Sequence, residues 1–399
     1  MFLVKLKRKL SKYPLIFNFL SFIKLNLIGL YNSFFMMIFS LRFIDNHKIV
    51  IISYSGKGYS DNGKYIAEEL LKRNNNLKIY WATTEKYKNS LPPDIHYTKM
   101  NSINYLYHLS TAKVWINNSR FVYGTRKRNK QYYIQTWHSS LRLKKIEKDA
   151  EESLNPQYIK TCKADSKMID LIISGCEFST NIYRNSFWYD GKILNCGTPR
   201  CDIFFNTKKM TSIKENLCNK YNIDPSKKIV LYAPTFRKNL NEIDTYINYE
   251  KLLHYLHDQY NLLIRFHPIS NYSIDNKNII NVTDYPDMQE LISICDFLIT
   301  DYSGCCFDML IKGGPCILFT KDKKEYFKKE RNLYFSLEEL PFPQAENEKE
   351  LANLLENFPH KEYKINCLKF KNRIQLFETG NASKMVAEVV ERECNDEKL

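Results

Sequence analysis

The sequence predicts an α/β protein with two doubly wound, parallel-sheet domains. Three observations predict it. The chain has 399 residues, enough for two domains with separate cores. Short apolar, β-branched runs alternate with stretches of helical periodicity, as in βαβ units. Several of those runs end in His, Arg, Ser or Asp, and the carboxyl ends of strands in open α/β sheets face the ligand crevice.

Composition narrows the function classes. At 44% hydrophobic and 26% charged residues the chain is globular. A formal net charge of +15 fits nucleic acid, a membrane surface or a phosphate-rich substrate. No helix-turn-helix, RNP-type or zinc-finger spacing supports the first, so no nucleic-acid partner is expected. The eleven Cys form no CxxC pair or Cys/His ligand set. With no cleavable signal peptide, they read as reduced cytosolic thiols used mainly in packing, and no metal site is expected.

Residues 1–44 carry Lys5, Lys7, Arg8, Lys9 and Lys12, then a Phe/Leu/Ile/Met-rich stretch from Leu15 to Phe43. Asn18, Lys24, Asn26 and Asn32 recur too often for a clean bilayer span. The stretch suits a helix at an anionic membrane interface, with a helix packed on its own domain as the alternative.

Residues 45–215 read as the first domain. Lys48–Tyr54 is its first strand, followed by the glycine loop Ser55–Gly63 and a helix marked by Tyr65, Ile66, Leu70 and Leu71. The loop is neither GxGxxG nor a Walker motif. Lys78–Ala82, Lys113–Asn117, Tyr132–His138 and Asp170–Ser174 supply further strands. His138, at a strand end before Ser139, Ser140 and a basic run, is a candidate general base, or else a hydrogen-bonded structural His. Asn195–Asp202 is a rigid closing turn, and 205–225 is polar and helical.

Residues 216–399 read as the second domain. Its strands at Lys228, Leu262 and Phe297–Thr300 end in Thr235 and Arg237, Arg265 and His267, and Asp301 and Ser303. Guanidinium, imidazole and hydroxyl groups gathered at one sheet edge make a pocket for a doubly phosphorylated ligand. In the strand–turn–helix around Ser303 and Gly304, free amides and a helix N-terminus suit a phosphate, and Asp308 suits a ribose; an ordinary helix cap is the alternative.

Six pieces in order, SYSGKGYSDNGKY, YIQTWHSSLRLKKIEKD, NCGTPRCD, VLYAPTFR, RFHP and ITDYSGCCFD, resemble the CDP-glycerol glycerophosphotransferase family of teichoic-acid primases and polymerases. NLYFSLEELPFP resembles the family's closing segment. The resemblance implies a GT-B architecture of two Rossmann-like domains facing a cleft. It further implies peripheral association with the cytoplasmic face of the membrane, and transfer of an alditol phosphate from a CDP-linked donor. By position, His138 matches the family's Trp-His-Gly histidine and His267 its Arg-x-His-Pro histidine; Ser303, Gly304 and Asp308 match its nucleotide-binding turn. Ser55, Gly56, Asp61 and Asn62 fall on the implied acceptor side. Two departures, Ser139 for the usual Gly and Asn62-Gly63-Lys64 for Asn-Pro-Lys, lie on that same side.

The combined expectation is a transferase that needs no cofactor. His138 and His267 are its catalytic residues, and Thr235, Arg237, Arg265, Asp301, Ser303, Gly304 and Asp308 bind the CDP-alditol, with glycerol the leading alditol. The acceptor is a lipid-linked glycan or a teichoic-acid-like or capsular polymer, and the nucleotide leaves as CMP. The rival readings are a GT-B glycosyltransferase using a nucleotide sugar and a basic, non-catalytic binding protein.

Overall fold

A computed structural model describes residues 14–73, 76–235, 246–256, 259–266, 276–329 and 332–395. Seven parallel strands build the first sheet: β1 (Asp45–Ile52), β2 (Lys78–Thr83), β3 (His96–Lys99), β4 (Ala112–Asn117), β5 (Tyr132–Gln135), β6 (Leu171–Ser174) and β7 (Lys192–Asn195). Their spatial order is β3-β2-β1-β4-β5-β6-β7. The second sheet holds β8 (Lys228–Tyr232), β9 (Tyr260–Ile264), β10 (Ile279–Asn281), β11 (Phe297–Thr300), β12 (Cys316–Phe319) and β13 (Gln344–Ala345). Its order is β10-β9-β8-β11-β12-β13. Each sheet reverses its winding beside its first strand, so β1/β4 and β8/β11 are switch points where a crevice opens. Two Rossmann-like domains face one another, the GT-B-like architecture expected from the motifs.

Side-chain alternation along β1 explains why its run is continuously apolar. Ile49 and Ile51 enter the core on one face with Ile66, Leu70 and Val386, whereas Val50 and Ile52 enter the other with Trp115, Tyr133 and Met36. Phe297–Thr300 is buried throughout in the second core, as its composition predicts. All eleven cysteines are free, and most are buried.

The long helix Pro14–Phe39 lies against the first domain along one stripe. Asn32 Nδ2 donates to the Tyr123 carbonyl at 3.2 Å, Ser33 Oγ donates to that of Gly124 at 3.1 Å, and Phe39 meets Tyr107 edge-on. Gly29 and Gly124 permit the close approach: a Cβ on Gly124, at φ +86°, would stand 2.2 Å from the Gly29 carbonyl oxygen. The opposite stripe, Phe19, Ile23, Leu27, Leu30, Phe34, Met37 and Leu41, stays exposed.

The chain crosses between the domains twice. Pro199–Phe205 leads out of the first, and the helix Thr207–Tyr221 follows it. After the helix His360–Ile374 the chain returns, making an antiparallel bridge from Leu376 to Cys176. The helix Ala382–Asn395 then packs on the first sheet, its first amides capped by Asp202 at 3.1 and 2.7 Å. The expected division at 215/216 is thus crossed by this last helix. It belongs structurally to the first domain.

Candidate active site

His138 lies three residues beyond β5, on a loop whose geometry is held from several sides. Trp137 adopts φ +49°, an uncommon conformation for a bulky residue, and Gln135 Oε1 accepts its amide at 2.8 Å. The His138 Nδ1 lies 2.8 Å from the Asn118 carbonyl oxygen. A carbonyl can only accept, so the proton sits on Nδ1 and the Nε2 lone pair remains for a substrate proton. The half-buried ring stacks on Trp137, with centroids 4.4 Å apart, and Tyr54 flanks it at 5.8 Å. Burial pushes the imidazole pKa down to about 4; the Asn118 carbonyl opposes this, and the nearby Arg142 guanidinium adds to it. Arg142 sits 5.1 Å over the Trp137 ring and donates to the Tyr183 hydroxyl at 2.8 Å. His138 is therefore neutral at pH 7, the form a general base requires.

Across the cleft, Asp301 closes the β11 turn by accepting the Thr235 and Tyr302 amides at 2.8 and 2.6 Å. Ser303 and Gly304 lead into the helix Cys305–Lys312 and face the His138 loop: a Cβ built on Gly304 would lie 3.6 Å from the Leu141 carbonyl oxygen and 4.0 Å from Ser139 Cβ. Arg265 is half-buried, with Nη1 donating to Met288 Sδ at 3.2 Å and Nη2 to the Tyr285 carbonyl at 3.2 Å. Its Nε is buried without a partner among the described residues. Arg237 and His267 lie outside the described residues.

Asp61, Asn62 and Asp308 converge on a residue that sequence reasoning did not single out, Arg200. Its Nη2 donates to both Asp308 oxygens at 3.0 and 2.9 Å, and its Nη1 to Asp61 Oδ2 at 3.0 Å and to the His138 carbonyl at 2.9 Å. Asn62 Oδ1 accepts the Arg200 amide at 3.1 Å. Asp308 is 1% exposed and also accepts from Ser140 Oγ at 3.2 Å and Gln289 Nε2 at 3.1 Å. This departs from the ribose-facing role expected of Asp308, because every oxygen is held by protein. Asp61 and Asn62, expected on the acceptor side, are buried supports; Ser55 is exposed at the rim, and Gly56 is packed under Met100 at φ +86°. The only sequence signal for Arg200 was its place in NCGTPRCD, read there as a turn. Asn118 carried none.

Among the described residues no group of three or more His, Cys, Asp or Glu side chains is placed to hold a metal ion. The family model described as CDP-Glycerol:Poly(glycerophosphate) glycerophosphotransferase matches residues 33–392. The chain belongs to this family. As a member of the glycerophosphotransferase family it is 31% identical over 368 residues to a teichoic acid poly(glycerol phosphate) polymerase of Staphylococcus epidermidis, covering 88% of this chain and 51% of that protein. The chain thus spans about half the length of that relative. A polymerase of the same description from Bacillus spizizenii is 29% identical, with 86% of this chain and 92% of that protein covered. Among solved structures, the wall teichoic acid polymerase TagF superposes with a TM-score of 0.83 at 28% identity, covering 95% of this chain and 97% of that one. A UDP-N-acetylglucosamine 2-epimerase from Listeria monocytogenes, at TM-score 0.52 and 13% identity, shares the fold alone, over 88% of this chain and 98% of that one.

Proposed function

We propose that this glycerophosphotransferase-family protein transfers glycerol phosphate from CDP-glycerol to a hydroxyl of a lipid-linked glycan or teichoic-acid-like polymer, releasing CMP. The observation that carries the reading is the apposition of a neutral His138, its free Nε2 on one side of the cleft, with the Ser303–Gly304 helix start on the other. The acceptor hydroxyl gives its proton to Nε2 as its oxygen attacks the β-phosphorus. The bond from that phosphorus to the bridging oxygen breaks, and its electron pair leaves with CMP. Backbone amides at the helix start and the cationic Arg265 meet the donor phosphates. Arg237 and His267 enter as further cationic ligands from the sequence alone, His267 also as a candidate catalytic group.

The exposed stripe from Phe19 to Leu41 supports placement on the membrane surface at the cytoplasmic face, where a lipid-linked acceptor resides. By length and composition Phe19–Phe39 also suffices to cross a bilayer, but the contacts of Gly29, Asn32 and Ser33 fasten one side of it to the first domain.

The test is product identity. The purified protein, given a membrane-lipid acceptor and a panel of nucleotide donors, is expected to release CMP from CDP-glycerol. Faster release of a nucleoside diphosphate from any sugar donor would replace this reading with glycosyl transfer.

A further inference from the structure

Three consecutive carbonyls of the base loop are held from outside it. Asn62 Nδ2 donates to those of Thr136 and Trp137 at 3.3 and 3.1 Å, and Arg200 Nη1 donates to that of His138 at 2.9 Å. The same guanidinium clasps Asp308, on the second-domain helix Cys305–Lys312, through both of its oxygens at 3.0 and 2.9 Å. Arg200 itself sits on neither sheet. It lies in Pro199–Phe205, the turn through which the chain leaves the first domain. From the interdomain connector, this one residue, 4% exposed, therefore reaches the glycine-loop residue Asp61, the base loop and the donor helix.

We infer that Arg200 is a positioning residue, fixing the His138 loop to the donor helix so that the base is aligned when the two domains are in register. The inference rests on the assignment of His138 as the base. The chemistry favours arginine: only a planar fork can satisfy a bidentate carboxylate on one edge while donating to a second carboxylate and a carbonyl from the other nitrogen. A lysine would keep the positive charge between Asp61 and Asp308 but lose most of that geometry. Arg200 is buried and donates to the His138 carbonyl, so its effect runs through the backbone of that residue.

The experiment uses the full chain with Arg200→Lys. Misalignment of a reacting group costs on the order of tenfold to a hundredfold, so kcat should fall by at least about tenfold while the donor KM stays within about threefold. Diethyl pyrocarbonate, which carbethoxylates unprotonated imidazole, should modify His138 several-fold faster once the loop is released, as read by peptide mass spectrometry. An unchanged His138 modification rate, or a loss confined to donor KM, overturns the inference. The base assignment fails by a separate result, full turnover in His138→Ala, and the modification rate in Arg200→Lys reads the hold on the loop without any turnover. Should Arg200→Lys not fold, Asp61→Asn, which suits the φ of +62° at that position, weakens the same clasp. The same two readouts then apply, with the same direction expected and the same unchanged modification rate as refutation.

Discussion

Replacing Lys64 by Met tests what holds the two domains together. Lys64, on the first-domain helix Asp61–Lys72, reaches Asp287 Oδ2 and Glu290 Oε1 of the second domain at 2.6 Å each. The side chains are 9%, 1% and 14% exposed, so the charges have little water to fall back on. Removing one partner of a buried pair costs about 3–5 kcal/mol, because the remaining charge stays buried and uncompensated. Asp287 keeps the Tyr65 hydroxyl at 3.1 Å and the Gln289 amide at 2.9 Å, which places the expected loss at the lower end, about 3 kcal/mol. For 399 residues melting together the unfolding entropy is roughly 0.8 kcal/mol per degree, so the midpoint should fall by roughly 4 °C. Burial works against the Lys64 charge, but Asp287 and Glu290 prevail and raise its pKa; burial likewise opposes ionised Asp287, and Lys64 prevails and lowers that one. The lysine term is present below its unfolded pKa and lost only as pH rises through the raised folded value. The aspartate term is present above its unfolded pKa and lost as pH falls through the depressed one. Scanning calorimetry between about pH 6 and 8 should therefore show a constant difference between wild type and Lys64→Met. A midpoint within about 1 °C of wild type would refute the reasoning, since an exposed pair contributes at most that much.

Two further predictions concern the base and the membrane. Because burial depresses the His138 pKa to about 4, the acid limb of kcat/KM assigned to this group should lie near that value. At pH 5.5 an ordinary imidazole would be about nine-tenths protonated, so an acid limb centred near 6.5 would contradict the base assignment. Changing Leu27, Leu30 and Phe34 to Lys should weaken flotation with anionic vesicles by about tenfold or more, given the apolar area these side chains present. Unchanged flotation would show that the stripe is not the contact surface.

Strands such as Ile49–Ile52 and Phe297–Thr300 were legible because both faces are buried, which requires a continuous apolar run, although Cys316–Phe319, equally buried, was not recognised. Missed were His96–Lys99, Lys192–Asn195, Ile279–Asn281, Cys316–Phe319 and Gln344–Ala345. Of these, β3, β7, β10 and β13 lie at sheet edges, short and only partly buried, where pattern carries little information. Strand ends located His138, Thr235, Asp301 and Ser303, since a parallel sheet puts its strand termini on one edge. Arg200 and Asn118 escaped, and Arg142 was noted only as part of the basic run after His138, because their partners are 20 to more than 100 residues away in sequence. Asp61 and Asp308 were noticed as carboxylates and assigned to ligands; nothing local in either motif reveals the arginine between them.

The return of the chain to its first domain has a consequence for biosynthesis. Val386, Ala387 and Val390 of the helix Ala382–Asn395 fill the same core face as Ile49, Ile51 and Ile66. They are translated after all thirteen strands of the described residues. A nascent chain emerging from the ribosome thus holds a first domain with one apolar face open until the whole second domain has followed. The domain begun first is finished last, and Asp202, waiting on the connector to cap that helix, marks where the final closure takes hold.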